Sequence, residues 1–261
     1  MPRRFLFCLL LTCSLTLPAQ ETRQTLHISA GEWPPYLSSQ LPQQGVMAHL
    51  LRDVLADEGY QVEFRFLPWP RAYAAAAAGR FAATAVWMHK SEREQDFLYS
   101  DPVLDEQFVF FHLREVRFDW QTFSDLRGLT LGGGLEYSYG PAFDAFLERG
   151  EVPMERVSSD QQNFEKLLKG RIQLYPQERN VGLAALRNLP GAAAQITHHP
   201  RPLLVNQSYL LFPKSLPGSE LLRQRFDQRL QQYRDSGRYQ RYFDDLDQGK
   251  YSAPQATLNL P

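Results

Sequence analysis

Strand-like and helix-like segments alternate along most of this 261-residue chain, and that alternation limits the possible folds more than any other feature. Residues 47–55 place apolar side chains on one helical face, and Gly59 is expected to end that helix. Residues 62–67 then alternate as a strand. Repeated strand–helix–strand units are typical of an α/β fold with mostly parallel sheets. In such sheets, ligands bind beyond the carboxyl ends of the strands.

The same pattern continues through the rest of the chain. Strands are predicted at 25–29, 81–87, 129–131 and 172–175, and 203–212 is extended and apolar. Helices are predicted at 71–78, between Pro141 and Gly150, around 164–168 and over 219–246 with a break at Gly237. The two prolines in 31–36 cannot donate to a strand ladder, so this segment is predicted to be a loop.

Composition and motif content exclude several functional classes. The 28 basic and 29 acidic residues nearly balance, so the chain lacks the basic surface expected of a nucleic-acid-binding protein. The six histidines are scattered, without the spacing of a zinc site. Neither a Gly-x-Ser-x-Gly nucleophile motif nor a phosphate-binding Gly-Lys-Ser/Thr motif occurs. The sequence therefore predicts no metal, no cofactor and no catalytic residue.

The first residues have the pattern of an export signal. Arg3 and Arg4 precede an apolar stretch, and Pro18–Ala19 provides a cleavage site, which predicts a signal peptide at 1–19 and a periplasmic protein. A transmembrane anchor is the alternative, but the stretch is shorter than the roughly 18–20 residues of a span. A lipoprotein site at Cys13 is a second alternative, and its flanking residues fit poorly. Both cysteines, Cys8 and Cys13, lie in this segment, so the mature chain is expected to have no disulfide.

Four stretches in order along the chain resemble one known family. They are GEWPPY at 31–36, WPRA through GRFAA at 69–83, SEREQDFLYSDP at 91–102, and LKGRI at 168–172. Together they resemble the bacterial extracytoplasmic solute-binding proteins of amino-acid ABC transporters, which are family 3 and type II periplasmic binding proteins. Each motif alone is weak, whereas four in the same order are fairly specific.

The resemblance implies a two-lobed "Venus flytrap" fold, in which each lobe is a mostly parallel sheet flanked by helices. Residues 24–112 plus 210–250 would form lobe 1, and 113–209 would form an inserted lobe 2. Residues 251–261 would be a C-terminal tail. Two crossing strands, near 108–113 and 205–211, would act as the hinge. Ligand would bind in the cleft, and closure of the lobes would bury it.

The resemblance also implies that Arg93 pairs with a ligand carboxylate. A guanidinium suits this role because it presents a planar fork of donors that stays charged. The alternative is a surface arginine paired with Glu92, Glu94 or Asp96.

Glu178 occupies the position at which the family often has an aspartate that binds the ligand's α-amino group. A glutamate there is longer, which puts an ordinary α-amino acid in doubt. The alternative is an exposed glutamate paired with Arg179.

Aromatic residues supply the predicted walls of the site. The resemblance implies that Trp33 stacks on the ligand, and Tyr36 lies in the same loop. Trp87 ends a predicted strand at the cleft edge and is expected to form the opposite wall. Each of these aromatic residues could instead be part of the core. For Trp69 this structural role is the stronger alternative, because Trp69 precedes a helix and can pack beneath it.

The stretch 132–138, which begins with three glycines, is predicted to lead into a helix with Pro141 near its start. Backbone amides at such a helix start can receive an anion, and the resemblance implies that this loop touches the ligand carboxylate, with Gly134 and Tyr137 as contacts. The alternative is a tight turn that needs glycine's conformational freedom.

These observations predict a periplasmic solute-binding protein. It would capture a small polar ligand, an amino acid or a related carboxylate or amine, for an ABC permease. We expect a monomer that does not insert into the membrane. One alternative is a cyclohexadienyl or arogenate dehydratase-like enzyme on the same fold with Glu178 as the acid–base group, although no second cleft acid is evident. The other is a ligand-sensing partner of a signalling receptor.

Overall fold

The computed structural model describes residues 23–135 and 137–252. The predicted signal peptide at 1–19, with Cys8 and Cys13, lies outside the described residues, as does most of the predicted tail at 251–261. None of the described helices is long and apolar enough to cross a bilayer.

Strands and helices alternate along the described chain, as the sequence predicts. The strands are β1 Gln24–Ala30, β2 Tyr60–Phe66, β3 Ala83–Met88, β4 Phe97–Tyr99, β5 Leu104–Leu113, β6 Leu131–Gly134, β7 Met154–Val157, β8 Tyr175–Glu178, β9 Ile196–His198 and β10 Leu204–Pro213. The α-helices are α1 Val46–Ala56, α2 Trp69–Ala77, α3 Pro141–Glu148, α4 Asp160–Leu168, α5 Arg179–Arg187, α6 Ala192–Gln195, α7 Ser219–Asp235 and α8 Arg238–Asp247.

The larger sheet mixes parallel and antiparallel pairs. Its strand order is β2-β1-β3-β10-β5-β8, with β4 paired to β10 and β9 paired to β5. Strand β1 runs parallel to β2 and β3, whereas β10 and β5 run antiparallel to each other and to their outer neighbours. A second, two-stranded sheet pairs β6 with β7 in parallel. The predicted parallel pairing therefore holds for β1 with β2 and β3 and for β6 with β7, whereas the two long strands β5 and β10 pair in antiparallel orientation.

Strands β5 and β10 connect the two halves of the structure. Each is ten residues long, and Leu104 to Phe108 pair with Ser208 to Leu204 in antiparallel register. The predicted crossing segments, 108–113 and 205–211, lie within these strands. Their role as a hinge and the lobe boundaries at 24–112, 113–209 and 210–250 stay predictions.

Separate hydrophobic cores lie on either side of these crossing strands. One core packs α1, α7 and α8 against β1, β2 and β3. Two further cores use opposite faces of β5: Phe108 and Phe110 enter one, and Val109 and Phe111 enter the other. A strand covered on both faces has a continuous apolar sequence rather than an alternating one, which explains the run at 108–111.

The three glycines at 132–134 lie in strand β6 rather than in the loop that the sequence predicts before the next helix. Helix α3 begins at Pro141, well beyond the run. The physical reason is close packing: a Cβ on Gly132 would lie 2.4 Å from Ile172 Cδ1 and 2.5 Å from Asn163 Oδ1. Glycine is needed here because a side chain has no space, not because a turn requires positive φ.

The strand predicted at 172–175 begins later than expected. Strand β8 covers Tyr175–Glu178, and only Leu174 bridges to Leu131 before it. Ile172 and Leu174 instead place their side chains in two different cores. The shift brings Glu178 to the end of a strand, directly before α5.

We expect Gly132→Ala to lower the free energy of unfolding by about 1–3 kcal/mol, because the added methyl group overpacks a filled site. Urea denaturation would measure the change. Gly134→Ala is the matched control, since its Cβ would meet only the ring of the exposed Tyr137, at 3.0 Å, and that ring can move. Equal losses in the two variants would contradict this account of the glycine strand.

Candidate functional site

The loop after β1 folds into a tight turn that presents Trp33. The Trp33 amide donates to Leu37 O at 2.6 Å, and the Tyr36 and Leu37 amides both donate to Trp33 O at 2.9 Å. The rings of Trp33 and Tyr36 lie 4.6 Å apart. The turn therefore holds the partly buried Trp33 ring toward the protein surface and directs Tyr36 inward.

Two further tryptophans pack beside this loop. Trp69 begins α2, and its indole lies against the backbone of Gly31, where a Cβ would come within 2.1 Å of the ring. Trp87 lies near the end of β3, 4.9 Å from Trp69 in an edge-to-face arrangement, and its Nε1 donates to Thr84 Oγ1 at 3.0 Å. These contacts give both rings fixed orientations.

Arg93 is directed toward Trp87 rather than toward neighbouring acids. Its Nη1 donates to Met88 O at 2.6 Å, and its guanidinium carbon lies 4.8 Å from the Trp87 ring centroid. In the described part of the chain it forms no ion pair with the acids around it: Glu94 pairs with His89, and Asp96 accepts a hydrogen bond from Tyr73. The surface-pair alternative for Arg93 is therefore wrong. An arginine has five N–H donors, so several remain for a ligand.

Glu106 places a buried carboxylate on the first crossing strand. Along β5, Leu104, Glu106 and Phe108 face inward, whereas Asp105 and Gln107 are exposed. Glu106 is only 2% exposed and accepts a hydrogen bond from the Ser208 hydroxyl on β10. Burial raises the pKa of Glu106 above its usual value, because the charged form loses hydration.

Glu178 is a second buried carboxylate, and it caps α5. It is 2% exposed, and its Oε2 accepts from the Val181 amide at 2.9 Å. Burial raises the pKa of Glu178 to about 7, the charge of Glu106 adds to the rise, and the hydrogen bonds from Val181 and Tyr36 oppose it. The alternative of an exposed glutamate paired with Arg179 is therefore wrong.

Tyr36 is buried behind the site. It is 0% exposed, and its hydroxyl accepts a hydrogen bond from Asn180 Nδ2 at 2.8 Å. Burial, followed by the charge of Glu178, raises the pKa of Tyr36 well above its usual value. This contact ties the loop after β1 to the first turn of α5.

Apart from the buried Tyr36, the site residues described above line one cleft of about 350 Å³. Its lining consists of Trp33, Trp69, Val86, Trp87, Met88, Arg93, Glu106, Phe108, Tyr137, Ser138, Glu178 and Ser208. The volume lies within the range of small-molecule sites, and apolar walls with a few polar groups are typical of them. Within residues 23–135 and 137–252, no three His, Cys, Asp or Glu side chains come together in a way that could hold a metal ion.

A comparison with models of protein families identifies the family of the chain. The family model of bacterial extracellular solute-binding proteins, family 3, matches residues 28–245. The chain belongs to this family. A comparison of this solute-binding protein with curated protein sequences gives no significant match.

Solved structures confirm the two-lobed α/β fold. Substrate-binding domain 2 of Lactococcus lactis GlnP, in open conformation, is similar with a TM-score of 0.68 and 16% identity, covering 89% of this chain and 97% of that one. A histidine kinase sensor domain similar to periplasmic binding proteins has a TM-score of 0.63 and 18% identity, and the match covers 89% of this chain and 99% of that one. The GluR0 ligand-binding core from Nostoc punctiforme, in complex with L-glutamate, has a TM-score of 0.61 and 18% identity, and the match covers 85% of this chain and 98% of that one. At these identities the likeness concerns the fold, so the ligand has to be inferred from this chain's residues.

The cleft brings together most of the residues predicted from the sequence. Trp33, Trp87, Arg93, Tyr137 and Glu178 line it, whereas Tyr36 lies behind it. Their contacts with a ligand stay predictions.

Gly134 is not among the cleft-lining residues. Its amide donates to the Tyr139 hydroxyl at 2.8 Å, and its carbonyl accepts from Arg156 Nη1 at 2.8 Å. The same Arg156 nitrogen donates to Tyr137 O at 2.8 Å and so holds Tyr137 at the cleft. The glycine strand therefore supports the site, and its Gly134 amide is already used within the protein.

Sequence reasoning missed several lining residues, of which Glu106 matters most. It lies in a run of mixed residues, and no motif points to it. Its alternation with Asp105 and Gln107 on a strand was the available signal, because it places a carboxylate on the same face as Leu104 and Phe108. Trp69 also lines the cleft while packing on Gly31, so its structural and site roles coexist.

The raised pKa of Glu178 predicts a pH-dependent stability. A carboxyl with a higher pKa in the folded protein binds more protons when folded, so its contribution to stability is full at low pH. That contribution is lost as the pH rises from the usual value of 4.5 to about 7.

We expect the unfolding free energy of Glu178→Gln, relative to the natural protein, to increase by up to about 3 kcal/mol between pH 4 and pH 8. The glutamine keeps an oxygen for the Val181 amide, and urea denaturation across pH measures the difference. Glu148→Gln, at an exposed position at the end of α3, is the control. A pH-independent difference would show that Glu178 ionises normally.

Proposed function

We propose that this protein binds a small solute with a carboxylate and an ammonium group, an amino acid or a close relative, in the 350 Å³ cleft. One observation carries the proposal: a guanidinium and a buried carboxylate, Arg93 and Glu178, line the same aromatic-walled cleft. Opposite charges on the two groups match the opposite charges of a zwitterion.

Arg93 would hold the carboxylate of the solute. Its guanidinium is already oriented by Trp87 and Met88, so less side-chain freedom is lost when the ligand binds. A planar donor fork pairs with a carboxylate through two parallel hydrogen bonds.

Glu178 would hold the ammonium group of the solute. Because Glu178 is buried and lacks a cationic partner among the described residues, its ionised form is unfavourable without a cation beside it. A ligand ammonium would favour ionisation and would lower the pKa of Glu178 on binding.

The aromatic residues would form the walls around the ligand's carbon chain. Trp33 lies on one loop, Trp69 and Trp87 pack edge to face, and Phe108 lies on the crossing strand between the two carboxylates. Ring faces exclude water and attract cations, with a cation–π contact worth about 0.5–2 kcal/mol.

The two-lobed fold suggests how binding would be transmitted. Residues 24–112 plus 210–250 would form one lobe and 113–209 the other, and ligand contacts from both would favour a closed form. In the periplasm, the closed form would be presented to an ABC permease. The likeness to a histidine kinase sensor domain supports a signalling receptor as the second candidate partner.

An enzyme on this fold is the second candidate function, because the cleft contains two buried acids rather than one. Glu178, with a pKa raised to about 7, is suited to proton transfer, and Glu106 supplies the second cleft carboxylate that the sequence did not reveal. Incubation with prephenate or arogenate, followed by product analysis, separates dehydration from binding.

A thermal-shift screen with amino acids, dipeptides, polyamines and organic acids tests the binding proposal. A ligand at a hundred times its dissociation constant adds about 2.7 kcal/mol of stability. We expect a hit that is lost in Arg93→Ala and retained in Arg187→Ala, which removes an exposed arginine at the end of α5. A hit that survives Arg93→Ala would overturn the carboxylate assignment.

A further inference from the structure

We propose that the solute carries a second cationic group, which binds to Glu106. This inference rests on the proposed function and narrows its ligand from zwitterions to diamino acids and their relatives. It follows from the placement, burial and charge balance of the two cleft carboxylates.

The strand register places both carboxylates on one face. Glu106 and Phe108 are two residues apart on β5, so their side chains point to the same side of the sheet. Glu178 on β8 pairs directly with Phe108, which makes Glu106 and Glu178 diagonal neighbours. Diagonal residues in antiparallel pairs lie about 7–8 Å apart at their Cα atoms.

Glu106 lacks a cationic partner in the described part of the protein. The Ser208 hydroxyl is its hydrogen-bond partner, and the carboxylate is nevertheless 2% exposed at the wall of an open cleft. An isolated buried carboxylate is unfavourable unless it is paired or protonated. Glu106 is therefore placed to pair with a cationic group of a ligand, because no internal ion pair holds it among the described residues.

A zwitterion has only one cationic group, so it cannot pair with both carboxylates of the cleft. Among the described residues, the cleft lining contains one cationic side chain, Arg93, and two carboxylates, Glu106 and Glu178. A zwitterionic amino acid would pair with Arg93 and Glu178 and would leave Glu106 without a cationic partner. A ligand with one carboxylate and two ammonium groups matches all three side chains.

The walls fit the chain that would connect the two ammonium groups. Phe108 lies between the two carboxylates in the register, and the tryptophans line the remaining apolar surface. Methylene groups pack favourably on such aromatic faces. The short diagonal between the carboxylates favours a chain of a few carbons between the amines.

Matched ligand pairs that differ by one amino group provide the test. The pairs are 2,4-diaminobutyrate and 2-aminobutyrate, ornithine and norvaline, and lysine and norleucine. Isothermal titration calorimetry measures the dissociation constant of each with the full mature chain. We expect at least one diamino acid to bind tenfold or more tightly than its partner.

Variants assign that preference to a residue. We expect Glu106→Gln to weaken binding of the preferred diamino acid at least tenfold and to change binding of its monoamino partner less than threefold. Asp105→Asn is the matched control, because it removes the same charge one residue away on the exposed face of β5. Should Glu106→Gln not fold, the ligand pairs alone decide the inference.

Each outcome has a distinct meaning. Equal or tighter binding of the monoamino member, with dependence on Arg93, would overturn this inference and leave the proposed function intact. A diamino preference that survives Glu106→Gln would overturn the assignment to Glu106. No binding of any member, in a protein whose folding is verified by circular dichroism, would overturn this inference, and the thermal-shift screen would then decide the proposed function separately.

Discussion

The antiparallel pairing of β5 with β10 is the interaction on which the other features depend. These strands join the parallel β2-β1-β3 arrangement to β8 and β9, so they hold the separate hydrophobic cores in one molecule. They also bring Glu106 and Ser208 to the cleft. Where β5 alternates between buried and exposed residues, over 104–108, its register is fixed, because a one-residue slip would exchange the two faces.

The cleft combines rigid walls with unfavourable buried charge. The Trp69 indole packs on the backbone of Gly31, where there is no side chain. Trp87 packs edge to face on Trp69 and donates a hydrogen bond to Thr84. Against these walls, Glu106 and Glu178 are buried without cations beside them among the described residues. Ionisation of two buried carboxylates without cations is unfavourable, and a cationic ligand would favour it, so the proposed ligand class follows from the electrostatics of the site.

Tyr36 links the site to the contact between the two halves of the structure. Its hydroxyl meets Asn180 at the start of α5, and the adjacent Val181 packs into the core formed by β1, β2 and β3. The same turn of α5 is capped by Glu178. A change in the protonation or ligand contacts of Glu178 is therefore placed to affect the contact between the loop after β1 and α5.

The sequence by itself determined the alternation of strands and helices, the loop at 31–36 and the family resemblance, because hydrophobic periodicity, proline and short motifs act locally. It also identified Trp33, Trp87, Arg93 and Glu178, which lie in or near those motifs. Only the tertiary structure decided that Gly132 serves close packing, that Tyr36 lies behind the cleft, and that Glu106 faces it. These properties depend on which strands pair and in what register, and contacts between residues distant in the chain set both.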